Sequence, residues 1–300
     1  IPVFGGISLD FKHMNQILEI RPDDFLAIVE PGVTRNQLNQ ALKKHNLFFP
    51  IDPGIDASLG GMAATNASGS AAVRYGAMKD NVLGLEIVQS DGSIIHTGGM
   101  TKKTSSGYNL TQLFIGSEGT LGIITKLVVQ LYAIPKFTLF AKITFPTMKA
   151  ACYTAQQIMG QSILLDRVEF VDSPTIQAVN NYKQTDFTPA PTLFIELSGE
   201  SQTVDHSLSI IQTLCKQNDC LEMNYDTDPV KREKLWMARR EAAFAIQSKH
   251  PEKKLMTTDV CVPLSVLPEA VEQTRNIMTK YQRQGAIFGH VGDGNFNAVF

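Results

Sequence analysis

The stretch Asp52-Pro53-Gly54-Ile55-Asp56-Ala57-Ser58-Leu59-Gly60-Gly61-Met62-Ala63-Ala64-Thr65-Asn66-Ala67-Ser68-Gly69 is small, polar and glycine-dense. Glycine has no Cβ, so consecutive amides can turn inward and meet a phosphate or a flat ring at van der Waals distance. Ser58, Thr65 and Asn66 add side-chain hydrogen bonds, and a dinucleotide cofactor is the first ligand they suggest. A second tight segment, Gly116-Ser117-Glu118-Gly119-Thr120-Leu121-Gly122-Ile123-Ile124-Thr125, sets glycines and hydroxyls just before a strand. It lacks the Gly-Lys-Ser/Thr ending of a triphosphate loop and the strand-turn-helix setting of the Rossmann glycine fingerprint. Either loop alone also reads as a surface turn. Two of them flanking one hairpin weigh toward a shared site.

Two further places could do chemistry. His290-Val291-Gly292-Asp293-Gly294-Asn295-Phe296-Asn297 sets an imidazole in a tight glycine and carboxylate context, against the alternative of a structural histidine near a turn. Arg239 and Arg240, in Leu235-Trp236-Met237-Ala238-Arg239-Arg240-Glu241, each offer a guanidinium fork that matches a carboxylate bidentately. The competing reading is a solvated, charged helix face.

The elements that must position these residues fall into two rhythms. Leu26 to Glu30 reads as a strand, Pro31-Gly32 as a turn, and Thr34-Arg35-Asn36-Gln37 as a capping box opening a helix that ends near Asn46. After the first glycine-rich segment, read as a loop, the runs 83–89 and 93–97 predict a hairpin around Ser90-Asp91-Gly92. A short helix follows at 110–115 and a half-buried strand at 123–131. Beyond Pro135 strand and helix alternate: 137–145, 148–159, 164–171, 175–182, 193–197 and 204–216. A long helix at 229–248, a strand at 256–262 and a helix at 267–284 complete the pattern. This predicts an α+β second domain, an antiparallel sheet covered by helices, with the boundary at 134/135.

Three hundred residues at 43% hydrophobic content suffice for two buried cores. A net charge of −2, from 27 basic and 29 acidic residues without a basic run, speaks against a nucleic-acid partner. Cys152, Cys215, Cys220 and Cys261 lack zinc-site or disulfide-framework spacing, which suits a reducing compartment. No apolar run approaches the ~20 residues of a membrane span, and no secretory leader is evident. The chain starts with Ile1 and stops at Phe300 within an apolar run, so it reads as a fragment of something longer.

Together Gly6-Ile7-Ser8-Leu9-Asp10-Phe11, Glu30-Pro31-Gly32-Val33, Phe49 to Gly54, Ser58 to Gly69, Val73-Arg74-Tyr75-Gly76, Gly116 to Thr125 and Gly289 to Asn295 resemble the FAD-linked D-2-hydroxyacid dehydrogenases. Within them, the flavin-type D-lactate dehydrogenases and glycolate oxidase D subunits are the most similar branch. The resemblance implies an FAD-binding domain of the vanillyl-alcohol oxidase (PCMH) type over 1–134 and an FAD-linked oxidase C-terminal α+β cap domain over 135–300, both truncated. By position it implicates Pro53, Gly54, Ser58, Gly60, Gly61, Thr65, Gly69, Tyr75, Gly76, Glu118 and Ile124 in binding FAD. The family's earlier phosphate loop, Gly-x-Gly-Thr-Ser, is absent, and Gly5-Gly6 does not replace it, since Gly6-Ile7-Ser8-Leu9-Asp10 matches the strand after it.

The resemblance also implies roles. Arg239 corresponds to the substrate-carboxylate arginine. His290 corresponds to one of two histidines that hold a divalent metal, zinc or manganese, with a later glutamate. Asn297 stands at the second ligand position, and carboxamide is a poor ligand for such ions. His290 is then the fallback base. Asp259, Arg167 and Glu169 lie in matching segments, where a structural ion pair explains them equally well. The implied reaction is oxidation of a D-2-hydroxy acid to the 2-oxo acid, with D-lactate favoured over glycolate or D-2-hydroxyglutarate. The electron acceptor would be a quinone, a cytochrome or an electron-transfer flavoprotein. A bacterial source would imply the cytoplasm or the inner-membrane periphery, and a eukaryotic one the mitochondrion. The alternative is a degenerate homologue that binds FAD or a partner without turnover, favoured by Asn297 and the missing loop.

Overall fold

A computed structural model describes residues 5–249, 252 and 254–300, so Ile1 lies outside the described part. Contacts divide the chain into two units, one of residues 1–71 and 75–134, the other of 72–74 and 135–300.

In the first unit Thr34 opens helix Arg35–Leu42 for a local reason. Its hydroxyl accepts from Gln37 N at 3.2 Å while Gln37 Oε1 accepts from Thr34 N at 2.9 Å, closing a capping box. Leu38 and Leu42, one turn apart, bury the inner face, and Asn46 in the left-handed region ends the run at φ 55°. The strands are β1 Ile17–Arg21, β2 Leu26–Val29, β3 Leu47–Phe48, β4 Val82–Val88, β5 Ile94–Gly98, β6 Ile123–Gln130 and β7 Tyr132–Ala133. Five form an antiparallel sheet in the order β1-β2-β6-β4-β5, and β3 pairs with β7. Val29, Leu38, Phe49, Leu59, Met62, Ile87 and Leu127 share one core. Each such side chain contributes about 1.5–3 kcal/mol of burial.

The second unit carries β8 Phe137–Thr144, β9 Leu165–Val171, β10 Thr192–Gly199, β11 Glu222–Asp226, β12 Val260–Cys261, β13 Ala286–Gly289 and β14 Asn295–Val299. Their order is β11-β8-β10-β9-β13-β14-β12, with antiparallel pairs throughout the described residues. Helices Met148–Met159, Ser201–Gln217 and Leu267–Lys280 pack Ala155, Ile211 and Val271 onto Ile143, Val168, Phe170 and Ile195. Successive strand side chains alternate faces, so Lys142, Glu196, Arg167 and Glu169 stand on the other face. Trp236, from helix Pro229–Arg240, packs there with Phe194 and Phe288.

The structure corrects four expectations. The first glycine-rich segment is not wholly loop, since Leu59–Ala64 is helical. The long helix breaks at Glu241 into Pro229–Arg240 and Ala242–Ser248. Small Ala242 and Ala245 let the second piece approach Ala178 and Val179 closely, while Glu241 pairs with Lys183. The strand expected at 256–262 shrinks to Val260–Cys261, with Thr257 bridging Val299 alone. The last helix stops at Lys280 rather than near Gln284.

Candidate functional site

In the first unit the two glycine-rich segments meet. Ser58 caps helix Leu59–Ala64, its hydroxyl accepting from Gly61 N at 3.4 Å. Leu59 N and Gly60 N each donate over 2.8 Å, to Val33 O and Pro31 O. The first three amides of this short helix therefore already have protein partners, so the cradle cannot rest on a bare helix end. At the other end Gly116 N and Glu118 N donate to Ala63 O and Ala64 O, both at 2.9 Å, hanging the second loop on the helix. Lys79 N bonds Asn66 Oδ1 at 3.0 Å and Met78 N bonds Ala67 O at 2.9 Å, which brings the Tyr75-Gly76 turn to the same place.

The glycines divide by what surrounds them. A Cβ on Gly60 would stand 2.4 Å from Pro31 Cβ, and one on Gly69 1.8 Å from Asp52 O, so these two admit other parts of the chain. Gly54 and Gly119 are different: at φ +85° and +78° they adopt left-handed backbone, with nothing within 4 Å of a Cβ. No other part of the chain fills that side of either residue, so a ligand can approach there. Pro53-Gly54 lies in a turn whose Asp52 carboxylate pairs with Arg35 at 3.3 Å and receives Gly54 N at 3.2 Å. Thr65 turns its hydroxyl to Gly61 O at 3.0 Å. Glu118 is exposed in left-handed backbone at φ 49°. The Tyr75 ring sits edge-on to Phe48 and Tyr132, with centroids 5.7 and 4.7 Å away. Gly76 is left-handed at φ +73°, with Asp80 where a Cβ would point. Ile124 pairs with Ile87 on β6 and packs on the core.

In the second unit Arg239 and His290 converge on one carboxylate. Glu169, 1% exposed, takes His290 Nδ1 on Oε1 at 2.5 Å and faces Arg239 Nη2 with Oε2 at 2.6 Å. The arginine contact is electrostatic and lacks hydrogen-bond geometry, and Arg239 Nε is buried with no hydrogen-bond partner among the described residues. The guanidinium also lies 5.0 Å over the Phe288 ring. This is not a solvated helix face, since the Arg239 side chain is only 11% exposed. Burial alone would push the His290 imidazole down, but the charge and hydrogen bond of Glu169 outweigh it and raise the pKa above the ordinary 6.5. A carboxylate on Nδ1 fixes the proton there, leaving Nε2 as the basic nitrogen.

Glu169 was legible only as one half of an ion pair. Charged Arg167 and Glu169 alternating with buried Val168 and Phe170 were the available signal. Arg167 sits on Glu196 at 3.8 Å and over Trp236 at 5.0 Å, apart from this cluster's contacts. Asp259 receives Asn295 Nδ2 at 2.7 Å, a structural contact. Asn297 lies on β14 opposite Phe288. Among the described residues no three His, Cys, Asp or Glu side chains gather as a metal site.

The model for the FAD binding domain matches residues 1–98, and that for FAD linked oxidases, C-terminal domain, matches residues 134–300. The chain belongs to the FAD-linked oxidases, pairing an FAD-binding domain of the PCMH type with that C-terminal domain. Among curated proteins it is 43% identical to a probable mitochondrial D-lactate dehydrogenase of Danio rerio, covering 98% of this chain and 60% of that protein. It is 38% identical to a mitochondrial D-lactate dehydrogenase (cytochrome) of Arabidopsis thaliana, over 98% and 52%. The glycolate oxidase subunit GlcD of Bacillus subtilis is 36% identical, over 99% and 63%. The chain thus spans little more than half the length of the relatives it matches. Among solved structures, an alkyldihydroxyacetonephosphate synthase superposes with TM-score 0.75 at 19% identity, covering 96% of this chain and 60% of that one. p-Cresol methylhydroxylase with substrate bound gives 0.74 at 18%, over 96% and 64%. At such identities the likeness is one of fold.

Proposed function

We propose that the protein oxidises a D-2-hydroxy acid to the 2-oxo acid with FAD, D-lactate being the favoured substrate over glycolate and D-2-hydroxyglutarate. The observation that carries the reading is the pairing, on buried Glu169, of a guanidinium with an unused Nε–H and an imidazole with a basic Nε2. A 2-hydroxy acid presents a carboxylate and a hydroxyl on adjacent carbons, which suits that pair. The names borne by the Danio rerio, Arabidopsis and Bacillus relatives support the same substrate class.

The residues present fit FAD: left-handed Gly54 and Gly119 each leave space for a ligand, the first in a turn held through Asp52 by Arg35, the second in a loop hung by Gly116 and Glu118 on helix Leu59–Ala64. Bound FAD supplies a two-electron acceptor for the hydride that leaves the substrate carbon. Arg239 binds and orients the substrate carboxylate. His290 Nε2 takes the hydroxyl proton, and Glu169 holds the ring's tautomer and stabilises the imidazolium that forms. Loss of that proton and of the hydride leaves the carbonyl of the 2-oxo acid. The donors do not fit a metal, because Asn297 offers only a carboxamide and no acidic or thiol ligand joins His290 in a three-ligand group among the described residues. No step is therefore routed through one. A cytochrome-class acceptor and a mitochondrial location are part of the reading, supported by the Arabidopsis relative's name.

Asn297 also favours a second reading, a homologue that binds FAD without turnover. Steady-state oxidation of D-lactate with an artificial dye acceptor separates the two. Arg239→Lys should raise KM and lower kcat/KM by about 10- to 100-fold, since a point ammonium cannot replace the fork. His290→Gln should lower kcat by about 100-fold or more. FAD-replete wild-type protein that turns over no hydroxy acid would leave the second reading standing.

A further inference from the structure

The face of the second sheet that bears Glu169 holds a cavity elsewhere, at β8 and β11, and the proposed reaction does not use it. Its volume is about 700 Å³, and Phe140 and Phe187 are among its walls. That size suits a drug-sized organic molecule.

Its charge is unbalanced. Lys142, Lys183, Lys231 and Lys234 line it, and Asp226 is the acidic lining residue. Lys231 pairs with Asp226, and Lys183 with Glu241. Lys142 is the informative one: its side chain is 12% exposed, yet the nearest carboxylate, on half-exposed Glu222, is 3.9 Å away. Its ammonium stands 5.1 Å over the Phe187 ring instead. A side chain so little exposed brings its ammonium to the cavity with only a distant counter-ion, and an anion there would meet a charge less screened than one on the open surface. Lys234, at the exposed rim, has no carboxylate partner among the described residues.

We propose that this cavity binds an organic anion with a flat ring body, the acid group held by Lys142 and Lys234 and the ring among the aromatic walls. The assignment is independent of the hydroxy-acid reaction, because none of these residues touches Glu169, Arg239 or His290 in the contacts described above.

Isothermal titration calorimetry of the FAD-saturated protein tests it, with 2-naphthoate as probe and inorganic phosphate and 2-naphthol as charge-only and ring-only controls. One 2-naphthoate should bind per chain, at least 10-fold more tightly than either control. Lys142→Met should weaken it by 10-fold or more, and Lys234→Gln, a surface change that leaves the fold intact, by about 3-fold, as expected for an exposed charge. Absence of 2-naphthoate binding, phosphate binding as tightly as the naphthoate, or wild-type affinity in Lys234→Gln and Lys142→Met would each overturn the proposal. Should Lys142→Met fail to fold, wild-type affinity in Lys234→Gln alone would overturn it.

Discussion

One buried carboxylate, Glu169, holds the two side chains to which the proposed chemistry is assigned, and its effect on His290 can be read in pH dependence. As a base His290 must be neutral, so turnover should rise with pH through a pKa above 6.5. Glu169→Gln removes the charge that raises that pKa. The rising limb of kcat/KM against pH should therefore move to lower pH, while the plateau rate falls. A purely structural Glu169 would lower activity at every pH and leave the limb in place. Stability carries the same sign. The folded pKa exceeds the unfolded one, so the His290–Glu169 pair contributes fully below about pH 6.5 and loses that contribution as pH rises through the folded pKa. The thermal midpoint of wild-type protein should fall across that window, and His290→Gln should flatten the fall.

The elements of the first unit make a different demand, that the glycine-rich turns stay closed. Gly69→Ala would drive a Cβ to 1.8 Å from the Asp52 carbonyl, a backbone atom that cannot swing aside. Overpacking of that kind costs about 1–3 kcal/mol or more, and it should displace the Asp52–Gly54 turn. Gly119→Ala meets nothing within 4 Å but must keep φ +78°, costing about 1–2 kcal/mol. Chemical denaturation should rank the first change as worse. Buried Asn81 donates to Tyr75 O at 2.7 Å and Ala77 O at 2.9 Å, tying down the turn around Gly76. Asn81→Ala should lower stability by about 1–3 kcal/mol, measured the same way.

How much of this the sequence discloses depends on how local the cause is. Helix Met148–Met159 is legible to its last residue, because Thr147 caps Ala150 N at 3.0 Å and Gly160 closes the end. Edge strand Glu222–Asp226 is not, since Met223 and Tyr225 alternate with polar residues over only five mostly exposed positions, too short a run to stand out. Helix Leu59–Ala64 is hidden by Gly60-Gly61, poor helix formers tolerated because Gly60 must admit Pro31. Of the site, the family resemblance picks out Arg239 and His290, whereas type and setting alone leave Arg240 equal to Arg239. Glu169 joins them from 121 residues before His290, a proximity that only the sheet creates.

At the scale of the whole molecule, fold alone decides little: an alkyldihydroxyacetonephosphate synthase and p-cresol methylhydroxylase superpose almost equally well on this chain. The proposal of hydroxy-acid oxidation rests instead on the Glu169 cluster, supported by relatives at 36–43% identity. Two cores, one in each unit, bury the side chains that support the glycine turns and the cluster respectively. Among the described residues no helix is long and apolar enough to cross a membrane. The most direct test of hydroxy-acid oxidation is the visible spectrum of the FAD-saturated protein mixed anaerobically with D-lactate and, separately, with L-lactate. Bleaching of the flavin band by D-lactate, and not by L-lactate, is the expected result. Bound flavin that stays oxidised with D-lactate, glycolate and D-2-hydroxyglutarate alike would contradict it.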